Sequence, residues 1–135
     1  MRVIFPWPLS QLSPNARVHH MELARVKKAA KIEACWLAKN AQADRFRKAS
    51  GIVVSLEFCP PDKRRRDIDN MLASCKALLN GLSAAMGVDD SEWRIVLSRG
   101  APVKGGQVVV TVSAAYSAEG NDYAALHRQI VGEVE

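Results

Sequence analysis

Two stretches concentrate acids in a chain that is otherwise basic: Arg64-Arg65-Arg66-Asp67-Ile68-Asp69-Asn70 and, further along, Asp89-Asp90-Ser91-Glu92. The chain carries 19 Lys and Arg against 14 Asp and Glu, a net charge of +5, so these acids run against the overall balance. If the two stretches meet in space, their carboxylates repel unless a proton or a cation intervenes. Oxygen donors with no matching His or Cys favour Mg²⁺ over zinc or iron. Asp67 and Asp69 point the same way on an extended strand but about 200° apart on a helix. Both therefore reach one ion only before a helix is established. The segment lies after Pro60-Pro61 and before an apolar helical stripe, where such an extended-to-helix transition is expected. The competing reading is that Asp67 or Asp69 caps the helix and that Asp89 and Asp90 form a turn after Gly87. From residue types alone that plainer reading is the favoured one.

The run Lys63, Arg64, Arg65, Arg66 is either a solvated surface stretch or a grip for phosphate oxygens, which suits the guanidinium fork. His19 and His20 lack partners at metal-ligand spacing and, with His127, read as surface residues. No Gly-rich phosphate loop and no nucleophile elbow are present. Trp36 reads as core, while Trp7 between two prolines is free to pack at an interface or stack on a base.

The elements that must position these residues follow from periodicity. Residues 2–5 form a short terminal strand, and Pro6 and Pro8 lead into a loop running to about Arg17. From Glu22 to Ala41, Leu23, Val26, Ala30, Ala34 and Leu37 recur at helical spacing on a basic amphipathic helix. Residues 51–58 alternate strictly, with Ile52, Val54, Leu56 and Phe58 on one face of a strand. A second helical stripe runs through Ile68, Leu72, Cys75, Leu79 and Leu82, with Asn80-Gly81 ending or loosening it. Residues 94–99 and 107–115 read as two strands joined through Lys104-Gly105-Gly106 as an antiparallel hairpin, the second carrying Val108, Val110, Val112 and Ala114 on one face. The tail from Tyr116 is either a short helix through Ala124, Leu126, Ile130 and Val131 or flexible. The expected architecture is a single small α/β domain over residues 1–135, a mixed sheet of about four strands covered by two main helices.

Composition narrows the classes. The 135 residues suit one ordinary domain, and 48% hydrophobic with 24% charged residues supports a packed core. No stretch approaches the ~20 consecutive apolar residues of a bilayer span, and the N-terminal apolar run is too short for a signal-peptide core, so a cytoplasmic protein is expected. Cys35, Cys59 and Cys75 form no Cys-x-x-Cys pair and read as reduced thiols. A sequence pI near 9.4 is compatible with a polyanionic partner.

The ordered set Pro6-Trp7-Pro8, Ser13-Pro14-Asn15-Ala16-Arg17, Pro61-Asp62-Lys63-Arg64-Arg65-Arg66-Asp67-Ile68-Asp69-Asn70, Asp89-Asp90-Ser91 and a final Gly-Gly hairpin resembles the RusA family of Holliday-junction resolvases, up to about residue 115. The resemblance outweighs the capping reading. It implies a homodimeric, Mg²⁺-dependent endonuclease that cuts branched DNA such as a four-way junction in recombination or repair. By motif position it implies Asp67, Asp69 and Asp90 as metal-binding, catalytic carboxylates, with Asp89 the weaker member of its pair. Mg²⁺ there would polarise a phosphoryl oxygen and activate a water for in-line attack. The family usually has a functional lysine one helical turn after the second motif aspartate, where this chain has Ala73. Lys76, seven residues after Asp69, is the candidate substitute, standing equally as a solvated helix residue. Lys63, Arg64, Arg65, Arg66 and Arg17 are the expected DNA contacts. The alternative is a branched-DNA-binding module of the same fold with weak or lost cleavage.

Overall fold

Strict alternation builds the sheet. The computed structural model describes residues 1–116, and within them four strands form one sheet: β1 (Arg2–Pro6), β2 (Ser50–Cys59), β3 (Trp93–Arg99) and β4 (Gln107–Tyr116). Their order is β1-β4-β2-β3. Strands β2 and β3 run parallel, and β4 runs antiparallel to both β1 and β2. Ile52, Val54, Leu56 and Phe58 of β2 and Val108, Val110, Val112 and Ala114 of β4 share the face that the helices cover, and all eight are buried. The mixed four-stranded α/β architecture is as expected.

The hairpin is not. β3 and β4 never pair, because β2 lies between them. The turn at Lys104-Gly106 does form, with Gly106 N–H donating to the Val103 carbonyl at 2.9 Å and both glycines at positive φ. It belongs to a crossover, residues 100–106, that is long enough to pass over one strand, a span of only about 10 Å at normal sheet spacing. Two backbone bonds pin that crossover to the end of β2: Gly100 N–H to Phe58 O at 2.8 Å, and Val103 N–H to Pro60 O at 2.9 Å. A valine-rich strand gains more burial between two neighbours than at an edge.

Among the described residues three α-helices cover the sheet: α1 (His20–Asn40), α2 (Ile68–Ser74) and α3 (Lys76–Met86). The His19 ring caps α1, its Nδ1 accepting from Met21 N–H at 3.2 Å. Val26, Ala34 and Ala38 form its buried line, with Leu23, Ala30 and Leu37 half-buried beside it. Trp36, expected in the core, is 66% exposed. It stands two residues from Ala34, about 200° around the helix, and so points away from the sheet.

The second helical stripe is broken where no glycine or proline stands. Ser74 Oγ donates to the Asn70 carbonyl at 2.9 Å, a back-bond that bends helices, and Cys75 N–H closes onto Leu72 O in a tighter turn. Asn80-Gly81, expected to loosen the helix, instead lies inside α3. An added Cβ at Gly81 would sit 2.4 Å from Lys31 O and 2.8 Å from Ala34 Cβ, so this glycine is the point where α3 crosses α1. The helix ends at Gly87, which takes the left-handed conformation usual after a helix C-terminus. The tail helix expected through Ala124, Leu126, Ile130 and Val131, together with His127, lies outside the described residues.

Candidate metal and nucleic-acid site

After Pro60-Pro61 the chain leaves β2 in an irregular segment held by one clip. The Asp62 carboxylate accepts from Arg64 N–H and from Arg66 Nη1, both at 2.8 Å, and Arg66 Nη1 also donates to the carbonyls of Asp62 and Arg64. The Arg66 hydrogen bond, and then the Arg64 amide, hold the Asp62 carboxyl below its ordinary range. The Arg66 guanidinium lies over the Trp7 ring, 5.7 Å from its centroid, and Trp7 meets Phe58 edge to face at 6.5 Å. From β3, Arg99 Nη1 donates to Arg66 O at 2.8 Å.

This clip divides the basic run. Arg66, whose side chain is only 20% exposed, braces the loop, whereas Arg64 is 80% exposed with a loose 4.0 Å ion pair to Asp62. Lys63 and Arg65 are exposed as well. Three cations of the run therefore face solvent and can meet phosphates. Arg17, also exposed, stands in the irregular segment before α1.

Asp67 occupies the residue before α2 in extended backbone, φ −80° and ψ 137°, so the extended-to-helix transition falls where the Asp-x-Asp spacing requires it. Its carboxylate makes no capping bond to the helix; only its backbone carbonyl joins α2, accepting from Met71 N–H at 3.1 Å. The capping role that residue type favoured is thus not taken up. Asp69 lies in the first turn and is exposed. A cavity of about 480 Å³ opens beside them, lined among others by Trp7, Arg65, Asp67, Asn70 and Ser74.

Asp90 stands elsewhere. The turn Asp90–Glu92 leads directly into β3, whose first residue, Trp93, pairs with Ile52 near the start of β2. Asp67 follows the other end of β2, and the parallel strands put six residue steps, roughly 20 Å, between those ends. One copy of the chain does not bring Asp90 to Asp67 and Asp69. Among the described residues, no three His, Cys, Asp or Glu side chains gather closely enough to hold a metal ion. Within the acid pair, Asp89 is committed to its turn: Ser91 Oγ donates to its Oδ2, and that bond, then the Ser91 amide, lowers its pKa. The Asp90 carboxylate takes no such bond.

Lys76 is exposed but opens α3 beyond the bend, so its seven-residue spacing from Asp69 no longer places it on the same helical face. Ala73, also exposed, stands on the α2 side of that bend. Residue types and spacing assigned no role to Asp62 or to Arg99, which together hold the segment in place. Asp62 sits i,i+4 to Arg66, a visible signal; Arg99 reaches the loop only through the tertiary fold.

No family model matches the chain. An uncharacterized protein of Xylella fastidiosa (strain Temecula1) is 33% identical to it, in an alignment covering 90% of this chain and 82% of that protein.

Proposed function

We propose that this chain, which belongs to one family with the Xylella fastidiosa protein, is a RusA-like, Mg²⁺-dependent endodeoxyribonuclease selective for branched DNA and acting as a homodimer. The observation that carries the reading is the Asp67-x-Asp69 pair. Two exposed carboxylates stand at the entry to α2, Asp67 free of any capping bond, beside three solvent-facing cations and a cavity. Oxygen-only donors suit Mg²⁺, which would be held by Asp67 and Asp69, with Asp90, standing at the far end of the sheet within one copy, able to join them only from the second copy of the homodimer. Bound there, Mg²⁺ supplies Lewis-acid polarisation of the scissile phosphate.

The chain's own residues do the rest. Lys63, Arg64 and Arg65 hold the DNA backbone by charge without reading sequence, so selection of a branch point comes from shape and from two-fold geometry. Arg66, tied to Asp62 and Trp7, keeps the segment rigid so that the carboxylates stay in place. Ala73 leaves the usual lysine position empty of charge, and with Lys76 beyond the bend a neighbouring arginine must stabilise the leaving oxygen. The test is incubation of end-labelled four-way and linear DNA with the protein in Mg²⁺ and in EDTA, beside Asp67→Asn. Paired symmetric nicks in the junction alone, lost in EDTA and in the variant while binding persists, are expected. Junction binding without cleavage under any divalent metal overturns the nuclease and leaves a DNA-binding module.

A further inference from the structure

The cavity beside Asp67 holds groups that phosphate binding and metal binding leave unused. Its volume of about 480 Å³ falls in the range, about 300–1,000 Å³, in which proteins hold small organic ligands. Trp7 and Arg66 both line it, the guanidinium lying over the indole at 5.7 Å from its centroid. Aromatic rings and guanidinium planes are the surfaces on which splayed-out bases stack. This pair is held rigid, because the Asp62 carboxylate accepts from Arg66 Nη1 at 2.8 Å and Phe58 meets the Trp7 ring edge to face. Asn70 lines the same space, and a carboxamide presents a donor and an acceptor side by side, the pattern carried by the edge of a base. Exposed Arg65 adds a cation for a flanking phosphate. A second cavity shares Trp7, Pro8 and Leu9 but opens onto α1 at Val26 and Ala30, without Arg65, Arg66 or Asn70.

We propose that this cavity receives one nucleobase swung out of the DNA stack at a branch point, held on the Trp7 and Arg66 planes while Asp67 faces the adjoining phosphate. A base and its phosphate are joined through one sugar, so a cavity with a stacking surface inside and a carboxylate on its lining matches a single nucleotide. Within a continuous duplex, extrusion forfeits a base pair and two stacking neighbours. A base at a branch point lacks one continuous neighbour already, so it leaves at the least cost. Lys63, Arg64 and Arg65 grip every duplex alike through its phosphates, and the cavity adds affinity only where a base can leave. Every base has a π-face, so the cavity reads structure before sequence. Capture of a base is thus a source of branch selectivity separate from two-fold geometry, and each copy of the chain carries it whole.

This inference rests on the reading of the chain as acting on branched DNA, and its test is built so that pocket and nuclease can fail separately. Affinity is measured in EDTA, where no cutting is needed, on four-way junctions in which each base flanking the branch point is removed in turn to leave an abasic sugar. Trp7→Ala should bind the intact junction about tenfold more weakly than wild type, the loss of one stacked base, with linear duplex bound as before. On the junction that lacks the captured base, wild type and variant should bind alike, an outcome that a merely structural role for Trp7 would not give. Ser10→Trp, at an exposed position on the cavity lining, leaves Trp7 and Arg66 in place and should show the same pattern by filling the space. 5-Iododeoxyuridine at the captured position should photo-cross-link to Trp7 in the junction and not in linear duplex. Base-dependent loss of binding in a protein that cuts nothing in Mg²⁺ upholds the pocket and overturns the nuclease. Cutting of junctions with equal losses on intact and abasic DNA, or with no cross-link to Trp7, overturns the pocket and leaves the nuclease standing. A protein that binds no junction overturns both.

Discussion

Replacing Gly81 by alanine sets helix propensity against packing at one atom. In an open helix the change would stabilise by about 1 kcal/mol, because glycine loses more backbone freedom on folding. Here the new Cβ would lie 2.4 Å from Lys31 O, 2.8 Å from Ala34 Cβ and 2.9 Å from Cys35 N. Two of those three neighbours are backbone of α1 and cannot rotate aside, so α1 and α3 must separate by about 1 Å to restore normal van der Waals spacing. Overpacking of this kind costs roughly 1–3 kcal/mol, and with rigid neighbours the upper part of that range applies. After the propensity gain, Gly81→Ala should destabilise by about 2 kcal/mol, lowering the melting temperature by roughly 8 °C for a domain of this size. Thermal unfolding followed at 222 nm, paired with urea titration, reads both quantities. A variant as stable as the wild type, or more stable, would refute the close crossing of α1 and α3.

Acid should weaken the loop clip. The folded Asp62 carboxyl sits below its ordinary value, so its contribution is complete above the unfolded value near 3.9 and is lost as pH falls through the lowered folded one. The stability difference between wild type and Asp62→Asn, measured by urea titration from pH 7 to pH 2, should therefore narrow below about pH 4; a constant difference would contradict the clip. Burial pushes the Cys75 thiol up to about 12, so iodoacetamide at pH 8 should modify half-buried Cys35 first and Cys75 only on unfolding, as mass spectrometry of timed samples would show. Equal rates would contradict the packing of α2 and α3. Replacing Lys63, Arg64 and Arg65 together by alanine should flatten the dependence of junction affinity on salt, by about 0.9 in log–log slope for each phosphate that the variant no longer neutralises. An unchanged slope would move the DNA face elsewhere.

What the chain declared by itself was local. Alternation announced β2 and β4, the three-and-four spacing announced α1 and its inward line, and the Pro60-Pro61 break before an apolar stripe announced an extended approach to a helix at Asp67. In each case side-chain direction follows from backbone geometry within a few residues. The acids stood out because they run against a basic chain, and the chemistry proposed for them comes from the family resemblance alone. Tertiary structure decided what depends on distant partners: β4 lies between β1 and β2 because a valine-rich strand buries more there than in a hairpin with β3. Gly81 sits at a helix crossing rather than a helix end because α1 approaches it. Arg66, indistinguishable in type from Arg64 and Arg65, turns inward because Asp62, Trp7 and the β3 terminus surround it. The same non-local choice of a parallel β3 sends Asp90 to the far end of the sheet, since parallel neighbours start at the same end and a chain that follows one strand departs from the other.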